Sequence, residues 1–175
     1  TGELIKDAID NGANKIIIGI GGSATIDGGI GASIALGVKY LGMNGEVLNE
    51  LNDILDFCSV IDYANVKMKD IEFLILSDVK NPMFGKNGGI KIYGKQKGAT
   101  SNLIAKRELQ TDRFIRILEQ QSNKTVRNDE YLGASGGFPV VFKALFNAKI
   151  LNGAHYILKT IKLEEKIKIA DMIIT

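Results

Sequence analysis

Two glycine-rich segments of the chain carry polar side chains directly after apolar runs. They span residues 19–29 and 77–100, and their polar residues include Ser23, Thr25, Asp27, Asp78, Asn81, Gln96 and Lys97. Glycine lets the backbone approach a bulky group closely, and the main-chain N–H groups of such loops bind anions. The two segments therefore predict a site for an anionic ligand.

These residue types match the needs of phosphoryl transfer. Backbone N–H groups and a lysine neutralise phosphate oxygens, one carboxylate holds Mg²⁺, and a second carboxylate accepts the proton of an attacking hydroxyl. A plainer interpretation makes Asp27 a helix cap and Asp78 a turn residue. That interpretation explains each residue singly, but it explains their joint occurrence less well.

Two nucleotide-binding motifs are matched only in part. Residues 19–24 satisfy the loose dinucleotide pattern G-x-G-x-x-A, but the next strand ends in residues 41–44 without the acidic residue that holds a ribose. Residues 89–96 come within one residue of a phosphate-binding P-loop, yet Gln96 replaces the Ser or Thr that binds Mg²⁺. We interpret the second match as coincidence and keep a nicotinamide site as a weaker alternative.

Other kinds of catalytic site are disfavoured by spacing. Residues 133–137 lack the G-x-S-x-G spacing of a serine nucleophile, and His155 has no metal-ligand partners at the usual intervals. Cys58 is the single cysteine, so the chain has no internal disulfide and this residue is predicted to be a buried apolar filler.

The composition indicates one α/β domain over residues 1–175. The apolar fraction is 45%, and 22 basic and 20 acidic residues give a net charge of +2 with no broad field for nucleic acid or a membrane surface. No run reaches the ~20 apolar residues that span a bilayer, and the cysteine usage suits a reducing cytoplasm. Because the sequence begins at Thr1 and ends within an apolar run, we expect a fragment of something longer.

Periodicity and turn residues predict the elements that would position these loops. Helices are expected over residues 3–11, 27–36, 49–56, 103–121, 139–146, 154–161 and 163–169. Strands are expected over residues 15–20, 38–41, 71–76 and 171–175. The first strand is predicted to be buried on both faces, and the long helix is predicted to begin with a Ser or Asn cap near Ser101. Both polar segments then follow the carboxyl ends of strands, where open α/β sheets bind ligands.

Four blocks of the sequence resemble the bacterial glycerate kinases, which use ATP to phosphorylate glycerate. Residues 18–29 resemble the signature of that family, and residues 78–100 resemble its second block. Residues 133–137 and 170–175 resemble its third and fourth blocks, in the same order. The family commonly has Asn in place of Ile26, Pro in place of Lys95 and Ala in place of Ser135. Ile26 is therefore not counted as a site residue.

The resemblance implies an α/β fold with a mixed or mostly parallel sheet and flanking helices. The family's enzymes are about twice this long and have two such domains, with the active site in the cleft between them. The chain resembles the middle, inserted domain, so its partner would be the missing domain of the same protein. The isolated fragment is then expected to be inactive, and association into a homo-oligomer is left open.

The implied substrates are Mg-ATP and D-glycerate, and the products are a phosphoglycerate and ADP. Asp78 is the predicted Mg²⁺ ligand or acceptor of the hydroxyl proton, Asp27 is the alternative, and Lys97 is a charge clamp for phosphate or carboxylate. The predicted substrate-binding residues are Gly21, Gly22, Ser23, Asn81, Gln96, Gly136 and Gly137. The rival hypothesis is a non-catalytic domain that binds a small anion or serves in assembly.

Overall fold

The computed structural model describes residues 1–66, 68 and 70–174 and contains two small sheets with helices around them. The strands are β1 (Lys15–Gly19), β2 (Lys39–Leu41), β3 (Val47–Leu48), β4 (Val60–Asp62), β5 (Glu72–Ser77) and β6 (Lys149–Asn152). The helices are α1 (Gly2–Asp10), α2 (Ile30–Ala35), α3 (Leu51–Phe57), α4 (Gly89–Gly94), α5 (Ser101–Ser122), α6 (Pro139–Phe146), α7 (Gly153–Thr160) and α8 (Leu163–Ile167). The expected α/β class with a parallel sheet and flanking helices is confirmed.

The parallel sheet has the order β1-β5-β6, with β5 at its centre. Ile75 of β5 pairs with Ile18 on one side and with Ile150 on the other. The apolar run of β5 suits this place, because a central parallel strand is covered on both faces, and Phe73 to Ser77 are all buried. Because the three strands are parallel, their carboxyl ends lie at one edge of the sheet.

Strand β1 is not buried on both faces, so that prediction is wrong. Ile16 points into the core and is 9% exposed, whereas Ile17 on the opposite face is 48% exposed. Within the described residues β1 pairs only with β5, which makes it an edge strand. Its continuous run of isoleucines imitates a central strand, although only one face packs against the core.

The strand expected over residues 38–41 forms as β2, but it lies in the second sheet. This sheet is antiparallel with the order β3-β2-β4, and the turn at Asn44 and Gly45 joins β2 to β3. Because β2 does not pair with β1 among the described strands, the strand-loop-helix-strand unit of a dinucleotide site does not form here. This arrangement weakens the nicotinamide alternative.

Helix α5 is the long helix that the pattern predicts, and it buries its apolar face in the core. Phe114, Ile115 and Leu118 are at most 1% exposed, and the Phe114 ring lies 5.7 Å from that of Tyr40. The predicted cap is off by one residue and in residue type, because Thr100 accepts the hydrogen bond from the Leu103 N–H group. Cys58 is fully buried, as expected of an apolar filler.

The predicted terminal strand is absent from residues 171–174, and Thr175 lies outside the described residues. A strand requires a hydrogen-bonded neighbour, and none of the described strands pairs with this segment. The sequence also left residues 57–70 unassigned, where β4 forms, and gave no prediction for β3, β6 and α4. The apparent P-loop at residues 89–96 folds as α4 and the 3₁₀ turn that follows it.

Candidate functional site

The carboxyl edge of the parallel sheet gathers the polar loops. The first loop leaves β1, and the Ile20 N–H group donates to the Leu76 carbonyl of β5 at 3.0 Å. Asp78 follows β5 directly, and α7 begins immediately after β6. The prediction that both polar segments follow the carboxyl ends of strands is confirmed.

Two cavities share the first loop as part of their lining. One has a volume of about 550 Å³ and includes Thr25, Asp27 and Phe138 in its lining. The other has a volume of about 480 Å³ and includes Asp78, Tyr93, Gln96 and Lys97 in its lining. We call them the Asp27 cavity and the Asp78 cavity. Five residues line both, namely Ile20, Gly21, Gly22, Ser23 and Ser135.

Gly21 and Gly22 form the open part of this shared wall. A Cβ added at either residue would meet no heavy atom of the described chain within 4 Å. Both residues are exposed, so their backbone can be approached closely by a ligand in either cavity. The Ser23 hydroxyl is anchored within the loop by the Thr25 hydroxyl at 3.1 Å and by the Thr25 N–H group at 3.2 Å.

Asp27 caps helix α2, as the plainer interpretation states. Its Oδ1 accepts from the Gly29 N–H group at 3.2 Å, and its Oδ2 accepts from the Gly31 N–H group at 3.1 Å. Both carboxylate oxygens are thus occupied by the first turn around the helix. These contacts leave the Asp27 oxygens less accessible to a substrate hydroxyl than an oxygen without a partner in the protein.

Asp78 is exposed at the end of β5 and has one oxygen in a structural contact. Its Oδ1 accepts from the Ala154 N–H group at 3.1 Å, at the beginning of α7. The helix thereby orients the carboxylate beside the Asp78 cavity, whose lining includes this residue. Asp27 and Asp78 line different cavities, so the two carboxylates do not form a close pair on one wall.

Lys97 connects the second polar segment to the first. Its Nζ donates to the Thr25 carbonyl at 2.6 Å, and the side chain is half-buried in the lining of the Asp78 cavity. Burial lowers the pKa of Lys97 below its ordinary value, and the negative charge of Asp27 opposes this shift. Gln96 is exposed and lines the same cavity, so an amide and an ammonium group are available side by side.

Asn81 does not line either cavity. Its Nδ2 donates to the Asn87 carbonyl at 2.7 Å, and its Oδ1 accepts from the Tyr93 hydroxyl at 2.8 Å. Both ends of the amide are therefore bonded within the protein, and Asn81 supports Tyr93 from behind the cavity wall. A contact between Asn81 and the substrate therefore remains a prediction, and the position of the side chain does not favour it.

Gly136 and Gly137 are buried and make a close approach to protein backbone. A Cβ at Gly136 would collide with the Thr25 carbonyl oxygen, and one at Gly137 would lie 2.6 Å from Met83 Cε. The Gly28 N–H group donates to the Gly136 carbonyl at 3.1 Å. These two glycines fix the turn at residues 133–137 against the first loop, and neither lines a cavity.

Comparisons with known proteins match the chain along its whole length. The sequence model of the glycerate kinase family matches residues 1–175. The chain belongs to the glycerate kinase family. It is 37% identical to a glycerate kinase from Halalkalibacterium halodurans and 36% identical to a glycerate 2-kinase from Escherichia coli K12, with the whole chain matched in both.

A solved structure shares the fold. It comes from Salmonella typhimurium LT2, is described as a glycerate kinase 2 candidate, and superposes with a TM-score of 0.88 at 32% identity over 97% of this chain. The chain covers 47%, 46% and 46% of these three proteins in turn, so it spans about half the length of the relatives it matches.

Two departures from the family's residues have a simple structural setting. Ile26 packs against the core cluster, so its side chain serves the interior of the domain. Lys95 is exposed in the 3₁₀ turn that carries Gln96 and Lys97. Helices long and apolar enough to cross a bilayer are absent from the described part of the chain.

Two polar residues in the lining of the Asp78 cavity were not predicted from the sequence. Tyr93 lines the Asp78 cavity. It was not predicted because residues 89–96 were interpreted only as a coincidental partial match to a P-loop. Ser135 lines both cavities, whereas the sequence analysis chose Gly136 and Gly137 from the same segment as site residues and rejected a serine nucleophile there. A hydroxyl-bearing residue between glycines is the signal that could have identified Ser135.

Proposed function

We propose that the complete protein containing this chain is an ATP-dependent glycerate kinase. The observation that carries the proposal is the pair of cavities divided by the open Gly21–Gly22 backbone, in a chain that belongs to this family along its whole length. One cavity would hold the nucleotide and the other the hydroxy acid. The missing half of the protein would close the cleft, so the 175-residue chain alone is expected to be inactive.

The reaction is a transfer of the γ-phosphoryl group to a hydroxyl of D-glycerate. The hydroxyl oxygen forms a bond to phosphorus while the bond from phosphorus to the β-phosphate oxygen breaks, and ADP leaves. Asp78 is exposed, keeps an oxygen beyond the one bonded to Ala154, and accepts the hydroxyl proton in this scheme. Asp27 is the alternative acceptor, and its two helix contacts make it the weaker one.

Positive charge and N–H groups stabilise the phosphoryl oxygens. Lys97 brings an ammonium group to the Asp78 cavity while it also holds the Thr25 carbonyl. The backbone of Gly21 and Gly22 supplies N–H groups without side chains in the way. Ser23 and Gln96 supply further polar contacts from the walls, and Gly136 and Gly137 act by fixing the first loop.

The residues present suit Mg²⁺ bound together with ATP. No group of three or more His, Cys, Asp or Glu side chains converges within the described residues. Mg²⁺ commonly binds through one or two carboxylates plus substrate phosphates and water, so a single carboxylate can serve as the protein ligand. Asp78 would take this part as the alternative to accepting the proton, and Asp27 would then be the proton acceptor. When bound there, the ion would neutralise phosphate charge.

Kinetics of the Asp78→Asn variant test the proposal in the full-length protein. The assay measures ADP release and phosphoglycerate formation from Mg-ATP and D-glycerate, with the 175-residue chain assayed alongside. Asp78→Asn is expected to lower kcat by about 100-fold or more with the fold intact, because a proton acceptor is lost. Asp53→Asn, an exposed position on α3, is the matched control and is expected to keep full turnover.

The rival hypothesis predicts a different pattern in the same experiment. A small-anion binding or assembly domain would bind glycerate or phosphate without any turnover in the full-length protein. Near-normal turnover in Asp78→Asn would instead keep the kinase and remove Asp78 from the mechanism. Turnover that needs NADH in place of ATP would favour the nicotinamide alternative.

A further inference from the structure

Strand β1 has one edge that pairs with none of the described strands. The Ile20 N–H group, directly after β1, bonds to the Leu76 carbonyl of β5. Because the backbone groups of successive residues in a strand point to opposite sides, those of Ile17 and Gly19 point to the open edge. An open edge of this kind is a template on which another segment can pair.

An apolar groove lies between β1 and α1. It has a volume of about 420 Å³, and among its lining residues only Thr1 and Lys15 have polar side chains. Leu4 of α1 and Ile17 of β1 line it and are 76% and 48% exposed. Exposed apolar side chains that share one groove are typical of a surface that another polypeptide covers.

A second apolar groove lies between the end of β1 and α7. Its volume is about 620 Å³, and Asp78 is the one lining residue with a polar side chain. Ile157 and Leu158 of α7 line it and are 49% and 44% exposed. Gly19 lines both grooves, so they form one continuous surface, which we call the β1 surface.

The β1 surface adjoins the candidate site. Ile18 and Gly19 also line the Asp27 cavity, and Ile20 and Asp78 also line the Asp78 cavity. A polypeptide that closes the cleft over these cavities would therefore also reach the β1 surface. The relatives that this chain matches are about twice its length, so a protein of their size has a second half large enough to do both.

We propose that the half of the full-length protein outside this chain packs on the β1 surface and covers Ile17 and Leu158. Burial of the apolar side chains stabilises this contact. The open edge of β1 also offers backbone hydrogen bonds to an extended segment of that half. The inference goes beyond the proposed function, because the contact requires no phosphoryl transfer.

Cysteine labelling of the full-length protein tests whether the surface is covered. Ile17→Cys and Leu158→Cys place thiols on it, and Val47→Cys is the matched control, because Val47 is 51% exposed on the edge strand β3 and lines neither groove. With a maleimide under native conditions, labelling at residues 17 and 158 should be at least about tenfold slower than at residue 47, since a covered thiol reacts only after local opening. Peptide mass spectrometry measures each rate, and all three should be equal in urea. Native labelling as fast as in the control overturns the proposal.

Photo-crosslinking identifies what covers the surface. With benzoylphenylalanine in place of Ile17, crosslinks within one monomer to peptides of the other half support the proposal. Crosslinks between two copies, or protection that is lost on dilution, assign the surface to a second copy and overturn it. Crosslinks confined to residues 1–175 of the same monomer also overturn it. None of these measurements depends on turnover of D-glycerate, so this proposal and the proposed function can fail separately.

Discussion

The glycines of residues 19–23 and those of residues 133–137 occupy opposite surroundings. Gly21 and Gly22 are exposed, and a Cβ on either would meet open space. Gly133 and Gly136 are buried, and a Cβ on either would collide with a backbone carbonyl of another loop. The exposed glycines leave space for a ligand, whereas the buried glycines allow two protein loops to pack closely.

The difference separates two functions that the same residue type serves. A ligand site needs N–H groups that can be approached, and it also needs the loop that bears them to be held still. The turn at residues 133–137 does the holding, because Gly136 contacts the Thr25 carbonyl region from one side while Lys97 bonds the same carbonyl from another. Open glycines and packed glycines thus cooperate at one loop.

The largest loss of stability is expected when a side chain is added at one of the buried glycines. Gly136→Ala introduces a Cβ both at a positive φ and against the Thr25 carbonyl, so a loss of about 3 kcal/mol or more in unfolding free energy is expected. Urea unfolding of the full-length protein measures it. Gly12→Ala is the matched control, because its φ is +93° with no described atom within 4 Å of the added Cβ, and it should cost only about 1 kcal/mol.

Equal losses of unfolding free energy in Gly136→Ala and Gly12→Ala would contradict this expectation. Such a result would assign the whole effect to backbone conformation and none to the contact between the two loops. The comparison between packed and open glycines would then lose its structural basis.

At an exposed glycine we expect a smaller effect, which lowers ligand affinity and leaves stability nearly unchanged. Gly22→Ala adds a methyl group where a phosphate would approach, so affinity for Mg-ADP or for D-glycerate should fall by about tenfold. Unfolding free energy should change by no more than about 0.5 kcal/mol, because the residue is exposed and its φ is not in the left-handed region. Calorimetric titration beside urea unfolding gives both values, and a loss of stability without a loss of affinity would reverse the assignment.

The smallest effect concerns the lysine that bridges the loops. Because burial lowers the pKa of Lys97 in the folded protein below its ordinary 10.5, the unfolded chain binds more protons between the two pKa values. Raising the pH through that interval therefore favours the folded state. The wild type should gain stability relative to Lys97→Met as the pH rises towards 10.5, and a constant difference over that rise would show that Lys97 is not desolvated by the fold.

The sequence predicted the helices and the central strand well because their signals are local. Helix α5 and strand β5 each depend on an apolar pattern that their final burial preserves. The burial of β1 was predicted wrongly, because a run of isoleucines does not reveal how many neighbouring strands β1 has. The sheet to which β2 belongs was not predicted, because pairing with β3 and β4 depends on tertiary contacts that a three-residue segment does not specify.

The candidate site shows the same division. Asp78, Gln96 and Lys97 could be found because polar residues after a strand in a glycine-rich setting are visible in the sequence, and all three line one cavity. The sequence placed Asp27 equally well, but both its oxygens are committed to α2. Ser135 and the true contacts of Gly136 could not be found, since they depend on which loop lies opposite.

A crystal structure of the full-length protein with Mg²⁺, a non-hydrolysable ATP analogue and D-glycerate would show directly whether the exposed glycines of residues 19–23 bind the ligands. We expect one ligand in each cavity, with phosphate oxygens within hydrogen-bond distance of the Gly21 or Gly22 N–H groups. Gly133 and Gly136 should keep their contacts with protein backbone. Ligands bound away from the shared wall, or phosphates seated on the glycines of residues 133–137, would contradict it.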